Sequence, residues 1–93
     1  ESPAYRVMDI LNKKDTIIDY YDPQLPQIPN NRGQWSGIKS IKWSSETLGQ
    51  FDAAVVCTAH KEVDYSMLAE HIPLIVDACN VVPKGKKAMV IAA

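Results

Sequence analysis

A chain of 93 residues suffices for one small domain, residues 1–93, and not for two; a domain of this size buries only about 60–65% of its unfolded surface. Hydrophobic residues make up 46% and charged residues 23%, an ordinary globular balance. Ten Lys and Arg stand against eleven Asp and Glu, a net charge of -1, which excludes the electrostatic footprint of a protein that binds nucleic acid or an anionic membrane.

Residues 2–14 predict a helix. Ser2 is a favourable N-cap, and Pro3 suits the first helical position, where no amide hydrogen is needed. Ala4, Val7, Met8 and Leu11 recur at the spacing of one buried face. Lys13 and Lys14 put positive charge at the carboxyl end, where the helix dipole favours it. Residues 16–21, rich in β-branched and aromatic side chains, predict a strand that Asp22-Pro23 stops. Residues 23–37 contain Pro23, Pro26, Pro29, Asn30, Asn31 and Gly33 and predict a long surface loop. Residues 38–43 alternate imperfectly and predict a strand at or near a sheet edge. Ser44 or Ser45 caps a short helix running to Gln50. Residues 53–58 form a continuous apolar run of the kind buried on both faces of a parallel sheet. Asp64 caps a helix over 65–71, with Leu68 and Ile72 inward and Pro73 as its stop. Residues 74–79 predict a second buried strand and residues 88–92 a last one.

Strands alternating with short helices indicate an α/β fold: a three-layer, Rossmann-like, mostly parallel sheet with helices on both faces. Such a domain ordinarily begins with a strand, whereas here a helix comes first. A gap at the centre of the sheet would leave neighbouring backbone groups unpaired. The first strand is therefore expected upstream in the native polypeptide, with a strand from another chain as the alternative.

Cys57 and Cys79 each lie in an apolar run, as buried thiols do, and neither has a second ligand at metal spacing. The longest apolar stretches run only a few residues, so no membrane span is expected. Residues 1–15 lack a signal-peptide core, and a cytoplasmic location is the default. The basic cluster Lys84, Lys86 and Lys87 reads as a solvated turn, with a phosphate contact as the lesser reading. Gly33, Gly37, Gly49 and Gly85 are too scattered for a dinucleotide or triphosphate loop. Open α/β sheets bind ligands beyond the carboxyl ends of their strands. The candidates at those ends are Tyr21 and Asp22, Thr58 and His60, and Asp77, Cys79 and Asn80. Each has a plainer reading. Asp22 before Pro23 is a turn former, His60 a loop residue holding the next helix, Asp77 and Asn80 loop caps, and Cys79 a quiet thiol. His71 at a helix end reads as a dipole partner.

Five segments in order resemble the nucleotide-sugar dehydrogenases that oxidise UDP-glucose, UDP-N-acetylglucosamine or UDP-N-acetylmannosamine. They are Glu1-Ser2-Pro3-Ala4, Tyr20-Tyr21-Asp22-Pro23-Gln24-Leu25-Pro26, the run from Phe51 to His60, Val63-Asp64-Tyr65, and Leu74-Ile75-Val76-Asp77-Ala78-Cys79-Asn80. The His60 and Asp64-Tyr65 variant is most similar to the enzymes acting on N-acetylated sugars. The resemblance implies a carboxyl-terminal lobe that covers the UDP moiety, with Thr58, His60, Asp77, Cys79 and Asn80 at the substrate. It implies a parent enzyme in nucleotide-sugar metabolism for polysaccharide biosynthesis. There an amino-terminal domain holds NAD, a central helical region supplies the catalytic cysteine and the homo-oligomer contact, and two hydride transfers take the C6 alcohol to a carboxylate. The family's catalytic cysteine motif has no counterpart in this chain, so the lobe by itself is expected to be inactive and to bind no NAD.

One departure bears on function. The family places an arginine at the position of Cys79, and a thiol supplies neither the fork of donors nor the fixed charge. The loss of such a contact corresponds to roughly 1.5–3 kcal/mol, or about one to two decades in affinity. The alternative reading is therefore a binding or regulatory module that kept the fold and lost the nucleotide. A flavodoxin-like redox or phosphoacceptor domain fits the alternation but lacks an acidic cluster at a strand end.

Overall fold

The computed structural model describes residues 3–93, so the Ser2 cap and the Glu1-Ser2 part of the first matched segment lie outside the described residues. The chain divides into two compact units, residues 1–42 and 43–93.

The first unit is built on α1 (Pro3–Asn12), shorter than the predicted 2–14. Asp15 at φ +59 closes the turn that follows it. Met8 is buried on the predicted face, together with Ile28 and Trp35. Tyr5, Ile18, Tyr20, Leu25 and Ile38 pack around this cluster.

Neither predicted strand of this unit forms a ladder. Residues 16–21 are not in a strand, and Ile17 is 95% exposed. Tyr20 O accepts from Ile41 N at 2.9 Å, but the next donor, Asp22 N, goes to the Ser40 side chain at 3.0 Å. The predicted strand at 38–43 instead turns back on the loop through an isolated antiparallel bridge, Gln27 with Lys39. Pro26 has no N–H to extend the bridge on one side, and on the other Ile38 N donates to Trp35 O at 3.3 Å. The predicted surface loop is thus partly core. A 3-10 turn at Gly33–Trp35 delivers the Trp35 ring inward, and its Nε1 donates to Asp9 Oδ1 of α1 at 2.7 Å.

The second unit is the α/β part. α2 (Ser45–Leu48) is capped by Ser44, whose side chain accepts from Thr47 N at 3.2 Å. α3 (Tyr65–His71) is capped by Asp64, which accepts from Ser66 N and Met67 N at 3.1 and 3.3 Å. β1 (Ala54–Val56), β2 (Leu74–Asp77) and β3 (Met89–Ala92) form an open, all-parallel sheet in the order β1-β2-β3, with Ile75 opposite Ala54 and Val90. This is the small α/β, Rossmann-like arrangement that the alternation predicts. Leu48, Val56, Leu68, Ala69, Ile72, Ile75, Val82 and Ala88 are its buried apolar residues.

The predicted burial of the sheet on both faces holds on one only. Val56 and Ile75 are buried, whereas Val55, Met89 and Ile91 on the alternate face are 40%, 65% and 45% exposed. β1 and β2 are also shorter than the strands predicted at 53–58 and 74–79. The apolar run 53–58 is a strand over three residues, and β2 stops at Asp77 because the chain turns there. Among the described residues no strand pairs with the outer edge of β1.

Candidate functional site

The parallel register sets Val56 beside Asp77. The loops leaving β1 and β2 therefore emerge together at the carboxyl edge of the sheet, where open α/β folds place ligands. That edge gathers all five predicted substrate residues.

Asp77 organises it. The side chain is buried, with the residue 4% exposed. Its Oδ1 accepts from Cys79 N at 3.1 Å, and its Oδ2 accepts from Val81 N and Val82 N at 2.9 and 2.8 Å. Three backbone donors satisfy a buried carboxylate without a cation, and charge-assisted bonds of this kind are strong. They bend the chain immediately after β2, and Asn80 takes a left-handed conformation at φ +58, which Asn tolerates better than most residues. Asp77 thus lies beneath the loop and shapes it, while Asn80 is exposed at its turn.

The bend also directs Cys79 toward β1. The half-buried Cys79 places its Sγ 3.9 Å from the carbonyl oxygen of Val56. Cys57, the next residue along β1, is half-buried as well. Burial, and then the neighbouring Cys79, push the Cys57 thiol up from its ordinary value. A thiol held in its neutral form is a poor nucleophile.

On the β1 side Thr58 is exposed and His60 half-buried. The His60 amide donates to the Tyr65 hydroxyl at 2.9 Å, and its carbonyl accepts from Val63 N at 3.3 Å. Tyr65 opens α3, so its side-chain hydroxyl fastens the loop to the start of the helix. The sequence reading missed Tyr65 and Cys57 as parts of this edge. Position at the end of an apolar run was the available signal for Cys57. A hydroxyl reaching back five residues across a loop leaves none.

The remaining candidates lie elsewhere. Asp22 accepts from Gln24 N at 2.8 Å, the turn former it was read as, and belongs to the first unit. In that unit a cavity of about 340 Å³ is lined by Tyr5, Asp9, Arg32, Gln34 and Trp35 among others. Its walls engage one another: Asp9 Oδ1 accepts from Trp35 Nε1 and from Gln34 Nε2, at 2.7 and 3.3 Å, and the Arg32 guanidinium stands 4.9 Å over the Tyr5 ring. Lys86 of the basic cluster faces Glu70 at 3.9 Å on the surface.

Two further tests bear on the chemistry. Residues 57–64 contain no glycine and residues 78–88 only Gly85. Neither loop carries the glycine spacing of a dinucleotide fingerprint. Among the described residues no group of three or more His, Cys, Asp or Glu could hold a metal ion, and no helix is long and apolar enough to cross a membrane.

A sequence model of the UDP-glucose/GDP-mannose dehydrogenase family, UDP binding domain, matches residues 1–84. No curated protein and no solved structure matches the chain.

Proposed function

Because the chain belongs to the UDP-glucose/GDP-mannose dehydrogenase family, as its UDP binding domain, we propose that the carboxyl edge of β1 and β2 binds the UDP moiety of a nucleotide sugar. The parent enzyme oxidises the C6 alcohol of that sugar to a carboxylate with two NAD, which bind on an upstream domain of the same polypeptide. The observation that carries this reading is the parallel register of Val56 and Asp77, which brings two of the matched segments to one edge. Thr58 and Asn80 offer an exposed hydroxyl and an exposed amide there, and His60 an imidazole; these are groups that pair with ribose hydroxyls and phosphate oxygens. Asp77 serves the site through the loop that it folds. His60 with Asp64 and Tyr65 favours an N-acetylated sugar among the family's substrates. A central helical region of the parent supplies the catalytic cysteine and the homo-oligomer contact.

The second reading, a module that has lost its nucleotide, is favoured by one observation: a cysteine, Cys79, stands where the family has an arginine. Cys79→Arg separates the two. If the edge binds UDP, restoring the charged fork strengthens binding by about 10- to 100-fold in calorimetric titration. Binding undetectable in both proteins, with the variant folded, would favour the lost-ligand module.

A further inference from the structure

We propose that Cys57 and Cys79 are a redox-modification site, closing a reversible intramolecular disulfide across the carboxyl ends of β1 and β2 when a peroxide reaches this edge. The pair is made by topology. Asp77 pairs with Val56 in the sheet, so the residues that follow them leave neighbouring strands together. Ala78 N still donates to Val56 O at 3.2 Å, which keeps the two chains side by side one residue beyond the strands. The last paired residues before the two cysteines, Val56 and Asp77, stand on neighbouring strands about 5 Å apart, and a disulfide bridges Cα atoms up to about 7 Å apart. The bend enforced by the Asp77 carboxylate then turns the Cys79 sulfur over β1, 3.9 Å from the carbonyl that joins Val56 to Cys57. Both sulfurs are free thiols, and both residues are half-buried, so neither is sealed in the core. Reversible disulfides in reducing compartments are characteristically of this sensing kind.

The chemistry balances with hydrogen peroxide as the oxidant. The Cys79 thiol attacks one peroxide oxygen and breaks the O–O bond, giving a sulfenic acid and one water. The Cys57 sulfur then attacks the sulfenic sulfur. The S–S bond forms, the S–O bond breaks, and the departing hydroxide leaves as a second water with the Cys57 proton. Two thiols lose two electrons, and one peroxide is reduced to two waters. The order follows from the environments. Cys57, whose thiol burial pushes up, yields its proton less readily than an ordinary cysteine and acts second. A dithiol reductant reverses the reaction. The proposal does not rest on the UDP reading, since it uses only the strand register and the two sulfurs.

The test treats the purified protein with a small excess of hydrogen peroxide, blocks remaining thiols with iodoacetamide, and measures intact mass and tryptic peptides. The expected result is a loss of about 2 Da, for two hydrogens, with no alkylation at either site. The tryptic peptide of residues 43–61 should be joined to that of 62–84, and dithiothreitol should separate them. Cys57→Ser should stop the reaction at the sulfenic or sulfinic acid of Cys79, trapped by dimedone or read as about 16 or 32 Da of added mass. Two alkylated cysteines after treatment, oxygen added to the unsubstituted protein without the cross-link, or a link found only between chains would overturn the proposal.

Discussion

At the scale of single residues the edge of the sheet depends on Asp77. Its carboxylate accepts from three main-chain amides, and the last of these belongs to the buried Val82. Asp77→Ala leaves those donors without an acceptor beside an apolar core, and we expect it to lower stability by about 3 kcal/mol, read as a shift in the guanidinium midpoint. Thr58→Ala, an exposed change at the same edge, should leave the midpoint nearly unmoved. Cys57 adds a pH dependence of definite sign. Its folded value is raised above the ordinary 9.0 by burial and then by Cys79. Below pH 9.0 both folded and unfolded forms hold the proton, and the contribution to stability is fully present. Above it the unfolded chain ionises first, so stability falls as pH rises through the folded value. Denaturation midpoints at a series of alkaline pH values should show this decline, and Cys57→Ala should make it shallower.

Elements divide into those set locally and those set by their partners. α3 was legible because Asp64 and Pro73 mark its two ends within the chain itself. The all-parallel sheet was legible as two apolar runs and a third strand, but its strand lengths were not. β2 ends where a side chain, Asp77, captures amides downstream, and no periodicity announces that. Residues 16–21 have the composition of a strand, yet a strand also needs a neighbour's ladder, and the bond from Ile41 N to Tyr20 O is followed by one from Asp22 N to a side chain, Ser40. The proline-rich loop misled in the opposite direction. Prolines and polar residues signalled exposure, while Ile28 and Trp35 within it are 2% and 7% exposed. The loop is therefore a structural element of the first unit, and Trp35→Ala tests that directly. Removing the indole empties core volume and breaks its bond to Asp9; we expect a cost of about 3–5 kcal/mol in equilibrium unfolding. A surface loop would tolerate the change within about 0.5 kcal/mol.

At the scale of the molecule, the family match runs through both units, from residue 1 to residue 84. The five candidate residues were legible as polar groups that follow apolar runs, and the parallel register puts the loops that carry them side by side. The division of labour among them was hidden, since burial and loop bonds separate Asp77, which shapes the site, from Thr58 and Asn80, which are exposed in it. With an arginine missing, this chain should bind UDP weakly and locally, with Kd of about millimolar. An amide chemical-shift titration of the 93-residue chain with UDP measures this residue by residue. Saturable shifts should concentrate in residues 57–64 and 78–82. Saturable shifts confined to the loop at 31–35, or none up to about 10 mM UDP, would contradict it.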